Sequence, residues 1–239
     1  MSKIVSKTLS HAMRIQEKRL AVISNNLANA NTSGYKSVQV SFEVPKSMMS
    51  ENQSENPTLP SMSSYANLSS AGLLETQAKL DVAIEGNGFF VIGVPEGTRY
   101  TRDGRFTIDA EKRLVTSSGH PVMGIDGEII LDEQDITIEP DGSIYTGWKP
   151  TGHIKIVDFE TKEFLQPVGM SLFEFTGKDN GVIPAEEYSL RQGFYEASNV
   201  DIMGEMVNLI DVLRGFEAYN KAKKMVGDTT KQVVDLIAK

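Results

Sequence analysis

An α+β fold is predicted, with an all-β central domain inserted between N- and C-terminal helices that pair as a coiled-coil-like region. Three observations carry this reading. Both ends of the 239-residue chain repeat apolar residues at steps of three and four. The middle breaks into short apolar runs punctuated by Gly, Asp, Asn and Pro. The apolar stripes at the ends also outrun what a β core of about 120 residues covers, so they are natural partners for each other and for other chains.

Residues 1–36 form the N-terminal helical arm. Between residues 3 and 30, Leu9, Met13, Leu20, Ile23, Leu27 and Ala30 fall on one face, with Gln16 as the polar interruption. The repeat is close to seven residues per two turns, as in a coiled-coil seam. The helix is predicted to stop near Asn31-Thr32-Ser33-Gly34, where Gly34 takes the left-handed C-terminal position. Four asparagines, Asn25, Asn26, Asn29 and Asn31, crowd this end although Asn is a poor helix former. Capping needs one of them. A row of amides, each with donors and acceptors, points to a helix end buried against polar backbone.

Residues 37–72 are read as an extended linker, because Pro45, Pro57 and Pro60 are interleaved with serines and large apolar residues are sparse. Residues 73–194 are the β-rich body. Leu80, Val82 and Ile84 alternate, and apolar runs follow at 89–92, 106–108, 114–116, 129–131, 136–138, 154–159 and 172–175. Asp103-Gly104 is predicted to close a hairpin between the runs around Tyr100 and Phe106; Asn87-Gly88, Asp126-Gly127 and Asp141-Gly142 are similar turn signals. Residues 195–239 hold the C-terminal helix that pairs with the N-terminal arm. Ile202, Met206, Leu209, Leu213 and Phe216, then Val226, Val233 and Ile237, keep the helical period without a proline, and Asp201 suits the cap. At a rise of roughly 1.5 Å per residue the helix spans about 50 Å.

Composition narrows the function. The absence of cysteine removes disulfides, cysteine-zinc sites and thiol nucleophiles together. A net charge of −8 argues against a broad nucleic-acid footprint. The charge is unevenly placed: residues 1–36 hold six Lys or Arg against Glu17 alone, residues 200–239 hold six of each sign, and the middle therefore carries −13. A basic end and an acidic body suit docking between copies as well as a solvated surface. No apolar run is long enough to insert in a membrane, and the basic residues near the N-terminus are too closely spaced for a leader core, so a chain that leaves the cytoplasm is expected to use a route without a cleaved signal.

Patterns that resemble chemistry have plainer readings. Gly86-Asn87-Gly88 lacks a third glycine and runs into Phe-Phe-Val-Ile, a strand, where a dinucleotide site needs a helix N-terminus. His11, His120 and His153 lack the spacing of a metal motif. Asp103 and Asp109 flank a turn, and turn and strand roles account for both. No catalytic, cofactor-binding or metal site is therefore expected. Two segments resist such readings: the asparagine-rich helix end, and Gln192-Gly193-Phe194-Tyr195-Glu196-Ala197-Ser198-Asn199-Val200-Asp201, which leads into the last helix.

These two segments, NNLANANTSGYK and QGFYEASNV, together with LDVAIEGNGFFVI, YTRDGRFTID, LVTSSGHPVMG and EMVNLIDVLRGFEAYNK, occur in the order found in flagellar rod and hook proteins, and the chain resembles that family over nearly its whole length. The resemblance implies a structural subunit of the periplasm-spanning rod of the bacterial flagellum. It would pass unfolded through the flagellar type III export apparatus and assemble with other rod subunits and with itself, binding no nucleic acid and inserting in no membrane. Its assembly interface would comprise Leu9, Met13, Leu20, Ile23 and Leu27, the amides of Asn25, Asn26, Asn29 and Asn31, and Ile202, Met206, Leu209, Leu213 and Phe216. The residues alone also fit a secreted β domain with helical oligomerisation arms.

Overall fold

The computed structural model describes residues 2–43, 61–131, 135–177 and 181–237, and the chain divides into a helical unit and a β unit. The helical unit holds α1 (Ser2–Ala28), β1 (Val38–Glu43), most of β2 (Ser61–Ala66) and α2 (Ile202–Ile237). Within it α1 and α2 pack on each other, and β1 and β2 form a two-stranded sheet across which the Tyr65 hydroxyl donates to Gln39 Oε1 at 2.9 Å. The predicted linker thus contains a strand on each side of its centre, while residues 67–72 are irregular. Its proline-rich centre, residues 45–60, lies outside the described residues. Asp201 directly precedes α2, where its carbonyl accepts the Glu205 N–H at 2.9 Å as the first helical bond.

The helix α1 stops at Ala28, two residues earlier than predicted. Gly34 does take a left-handed conformation, φ 62°, but six residues beyond the helix. Its role differs from capping. A Cβ there would overlap the backbone of Arg102 and Asp103, so the position needs glycine for close approach as well as for its φ. Residues 29–37 accordingly belong to the β unit, together with the described residues of 66–200.

The strands of the β unit are β3 (Leu73–Glu75), β4 (Val82–Gly86), β5 (Phe89–Val94), β6 (Gly97–Thr101), β7 (Phe106–Ile108), β8 (Leu114–Thr116), β9 (Met123–Gly124) and β10 (Gly127–Glu128). They continue with β11 (Ile136–Ile138), β12 (Ser143–Thr146), β13 (Lys149–His153), β14 (Ile156–Phe159), β15 (Leu165–Gly169), β16 (Leu172–Phe175), β17 (Val182–Pro184), β18 (Tyr188–Gln192) and β19 (Phe194–Glu196). The largest sheet runs β15-β16-β6-β5-β14-β17, a smaller one runs β11-β12-β13, and four two-stranded pairs complete the unit: β18-β4, β19-β3, β7-β8 and β10-β9.

The strand β5 shows why its sequence does not alternate. Phe90 and Ile92 enter a core shared with Ile84, Leu114, Ile144 and Ile154, while Phe89 and Val91 enter a second core with Tyr100, Phe159 and Phe173. A strand buried on both faces is apolar throughout. In the second core the Phe89 ring meets Phe159 and Phe173 edge-on, with centroids 5.6 and 5.9 Å apart.

The turn signals divide. Asp126-Gly127 and Asp141-Gly142 lie at the hairpins β9-β10 and β11-β12, with Gly127 and Gly142 at positive φ. Asp103-Gly104 closes no hairpin, contrary to expectation: β6 pairs with β5 and β16, and β7 pairs with β8. Gly104 is required because a Cβ would overlap the Val82 carbonyl, in a place where the Val82 N–H donates to the Gly104 carbonyl at 2.9 Å. Gly86 and Gly88, at φ 101° and 114°, form the turn between β4 and β5 and lead directly into the strand. The run 129–131, expected as a strand, contributes buried Ile129 and Leu131 but joins the ladder only through a single bridge from Ile130 to Arg113.

Candidate assembly interface

The two helices were expected to share one stripe each, and α1 follows that pattern. Ile23 is buried and Leu9, Met13, Leu20 and Leu27 are half-buried. Gln16 stands opposite Gly215 of α2, whose missing side chain leaves room for the amide. In α2 the expected stripe splits. Leu209 and Phe216 are half-buried, but Ile202, Met206 and Leu213 are exposed, and Val212, absent from the expected set, is only 1% exposed.

The cause is a rotation of α2. Steps of four and three starting at residue 205 give 209, 212 and 216; the same steps starting at 202 give 206, 209, 213 and 216. Both phasings share Leu209 and Phe216, so periodicity alone does not choose between them. A polar contact at the start of the helix does. Glu205 Oε1 accepts from Asn26 Nδ2 at 2.6 Å and so turns residue 205 toward α1. Met203, Met206, Val207, Ile210 and Leu213 are left as a second apolar face that neither α1 nor any other described residue covers; Met203 is 73% exposed.

Of the four asparagines only Asn26 is fully buried. Its amide reads the Val38 backbone as a neighbouring strand would: Oδ1 accepts the Val38 N–H at 2.9 Å and Nδ2 donates to the Val38 carbonyl at 2.9 Å. Asn29 is half-buried and accepts from Thr32, through its carbonyl at 3.1 Å and its Oδ1 at 3.2 Å. Asn25 and Asn31 face solvent. The expected row of buried amides therefore reduces to one residue that ties the end of α1 to β1 and α2.

Residues that sequence reasoning did not single out form a polar lock inside the β unit. Lys36 Nζ lies 2.7 Å from Glu196 Oε1 and donates to the Ser69 carbonyl at 2.8 Å. Arg102 reaches Glu196 Oε2 at 3.4 Å and donates to the Ile84 and Gly86 carbonyls at 3.3 and 2.9 Å, with its guanidinium over the Phe89 ring. The Ala71 N–H supplies a further donor to Glu196 Oε1 at 2.7 Å. One carboxylate thus compensates two buried cations. Burial pushes Lys36 below the ordinary lysine value, against the pull of Glu196, and burial lowers Arg102 in the same way.

Around the lock, the two segments that resisted plain readings meet. The Gly34 N–H donates to the Glu196 carbonyl at 2.8 Å, the Ser37 N–H donates to Asn199 Oδ1 at 2.7 Å, and Asn199 Nδ2 donates to the Asn67 and Ser69 carbonyls at 2.8 and 3.0 Å. Ser33 donates to Asp103 at 2.5 Å, whereas Asp109 pairs with Arg113 at 2.8 Å, so these two carboxylates have separate partners. The signal near this lock was the asparagine-rich helix end and the segment that leads into the last helix, both of which resisted plainer readings; what was missing was any indication that Lys36 and Arg102 share a counterion.

The helical unit thus uses one apolar face internally and leaves another open, and the β unit is closed by sequence from both of its flanks. Residues 7–36 match the family described as Flagella basal body rod protein, residues 83–146 match Flagellar hook protein FlgE/F/G D1 domain, and residues 191–236 match Flagellar basal body rod FlgEFG protein C-terminal. The chain is 34% identical to the flagellar basal-body rod protein FlgG of Borreliella burgdorferi, across 90% of this chain and 91% of that one. It is 31% identical to FlgF of Caulobacter vibrioides across 97% and 96%, and 31% identical to FlgG of Bacillus subtilis across 94% and 95%. The chain belongs to the flagellar basal-body rod protein family and is a structural rod subunit.

Proposed function

We propose that the chain is a FlgF-type subunit of the proximal rod, delivered by the flagellar export apparatus to the periplasm, and that it joins neighbouring rod subunits through its terminal helices. The observation that carries the assembly mechanism is the second apolar face of α2. Met203, Met206, Val207, Ile210 and Leu213 remain exposed after α1 has taken the first face. Fully burying each such side chain against a neighbour contributes about 1.5–3 kcal/mol, which offsets the cost of ordering the helix ends. The α1 residues Leu9, Met13, Leu20, Ile23 and Leu27 and the Asn26 amide set the shape of the helical pair that is added. The FlgF assignment is supported by the alignment to the Caulobacter vibrioides protein, which takes in nearly all of both chains.

The test is an imaging reconstruction of basal bodies carrying a tagged chain. Tag density in the proximal rod is expected; density in the distal rod would assign a FlgG-type position, and density outside the rod would overturn the reading.

A further inference from the structure

The three-stranded sheet presents an outer face of acidic and aromatic groups. Ile136 and Ile138 of β11 and Ile144 of β12 point into the core, so strand alternation puts Asp135, Thr137 and Glu139, and Tyr145 on β12, on the opposite side. The β12-β13 hairpin turns at Gly147-Trp148, with Gly147 at φ 59° and its N–H donating to the Asp135 carbonyl at 2.9 Å. This turn holds Trp148 wholly in solvent, 101% exposed, and it is the chain's single tryptophan. Together these residues line a shallow trough of about 420 Å³.

We propose that this trough receives the basic N-terminal segment of a second copy of the chain. An indole held fully in water by a tight turn is an anchor in search of a cover, since aromatic side chains concentrate the energy of protein interfaces. Asp135 and Glu139, four positions apart and directly before and after β11, roughly 13 Å by the rise per residue, flank the aromatic rings. A Lys or Arg side chain is drawn to such a site by ring and carboxylate together.

Charge complementarity names the occupant: the middle of the chain carries −13, residues 1–28 hold five Lys or Arg against Glu17 alone and so carry +4, and Arg14 and Lys18 are exposed on α1. The cations already near the trough are Lys149, beside Trp148, and Lys79, 2.9 Å from Asp135. That pair is mostly solvent-exposed on both sides, so it is weak and readily exchanged for an incoming cation. The inference rests on the reading that copies of the chain assemble together, and it adds a contact between β unit and helical arm to that reading.

A synthetic peptide of residues 1–36 lacks tryptophan, so when it is titrated into the full chain Trp148 emission reports on the trough alone. A saturable emission shift is expected, with affinity falling about tenfold as salt rises from low to physiological levels. It should be lost in the double variant Asp135→Asn/Glu139→Gln and with a peptide whose Lys and Arg are all replaced by Glu. No saturable shift, an equal shift with the charge-reversed peptide, or a shift produced by a neutral chitin oligosaccharide and not by the peptide would each overturn the proposal. The tagged reconstruction tests rod membership independently, so failure of this contact and failure of the rod reading are told apart.

Discussion

Lys36 Nζ and Glu196 Oε1 lie 2.7 Å apart with both side chains sealed from solvent, although 160 positions separate them in sequence. Glu196 also faces Arg102, so removing this one carboxylate strands two buried cations. We expect Glu196→Ala to destabilise the β unit by about 3–5 kcal/mol, the cost of breaking a buried pair from one side. Urea denaturation followed by far-ultraviolet circular dichroism measures it. An unchanged midpoint would mean that water or a rearranged group takes the place of Glu196.

The lowered pKa of Lys36 has a pH signature. With its folded value below the ordinary 10.5, the unfolded chain holds more protons than the folded one between the two values, so this group's contribution to stability rises with pH in that window. Below the window the charged Lys36 carries its full burial cost. In Lys36→Met the contribution is absent. The stability of the wild type relative to Lys36→Met should therefore shift in favour of the wild type as pH rises through that window toward about pH 10. Denaturation series across that range test the sign; a shift in the other direction would show that the attraction of Glu196 outweighs burial.

Gly34 and Gly119 both have positive φ, but only Gly34 is pressed against backbone, whereas a Cβ at Gly119 meets nothing within 4 Å. Gly119→Ala should cost about 1 kcal/mol from conformation alone. Gly34→Ala should cost clearly more, because the segment 33–37 must move off Asp103 to admit the methyl group. Equal losses by thermal denaturation would show that this segment is not held tightly.

The rotation of α2 separates two neighbouring residues. Val212→Asp places a carboxylate in the α1 contact and should cost several kcal/mol, with loss of helical signal in the isolated chain. Leu213→Asp places it on the open face and should leave helicity within about 0.5 kcal/mol of the wild type while abolishing motility. Leu20→Asp and Leu209→Asp should behave like Val212→Asp. If Leu213→Asp cells swim normally, the open face is not an assembly surface.

The alternation of helix, β body and helix was legible because period and turn residues are local properties. The rotation of α2 was not, because two phasings share Leu209 and Phe216 and the choice rests on Asn26 and Glu205, 179 positions apart. The pairing of β18 with β4 and of β19 with β3 was hidden for the same reason: such partners are chosen by tertiary packing. Asp103-Gly104 misled because glycine there serves close packing on Val82 and not a two-residue turn. The second segment drew notice because no plain reading absorbed it, yet Glu196 gains its meaning only from Lys36 and Arg102.

The β unit takes residues 29–37 from one flank and β18, β19, Glu196 and Asn199 from the other. A chain that ends before Tyr188 lacks the strands that pair with β3 and β4 and leaves Lys36 and Arg102 without their carboxylate. Closure over so long a span carries a loop-closure entropy cost that the paired strands and the buried ion pairs must offset. The topology therefore makes the β unit all-or-none with respect to chain length: a polypeptide cut short before Tyr188 cannot close it, whatever the order in which the rest is made.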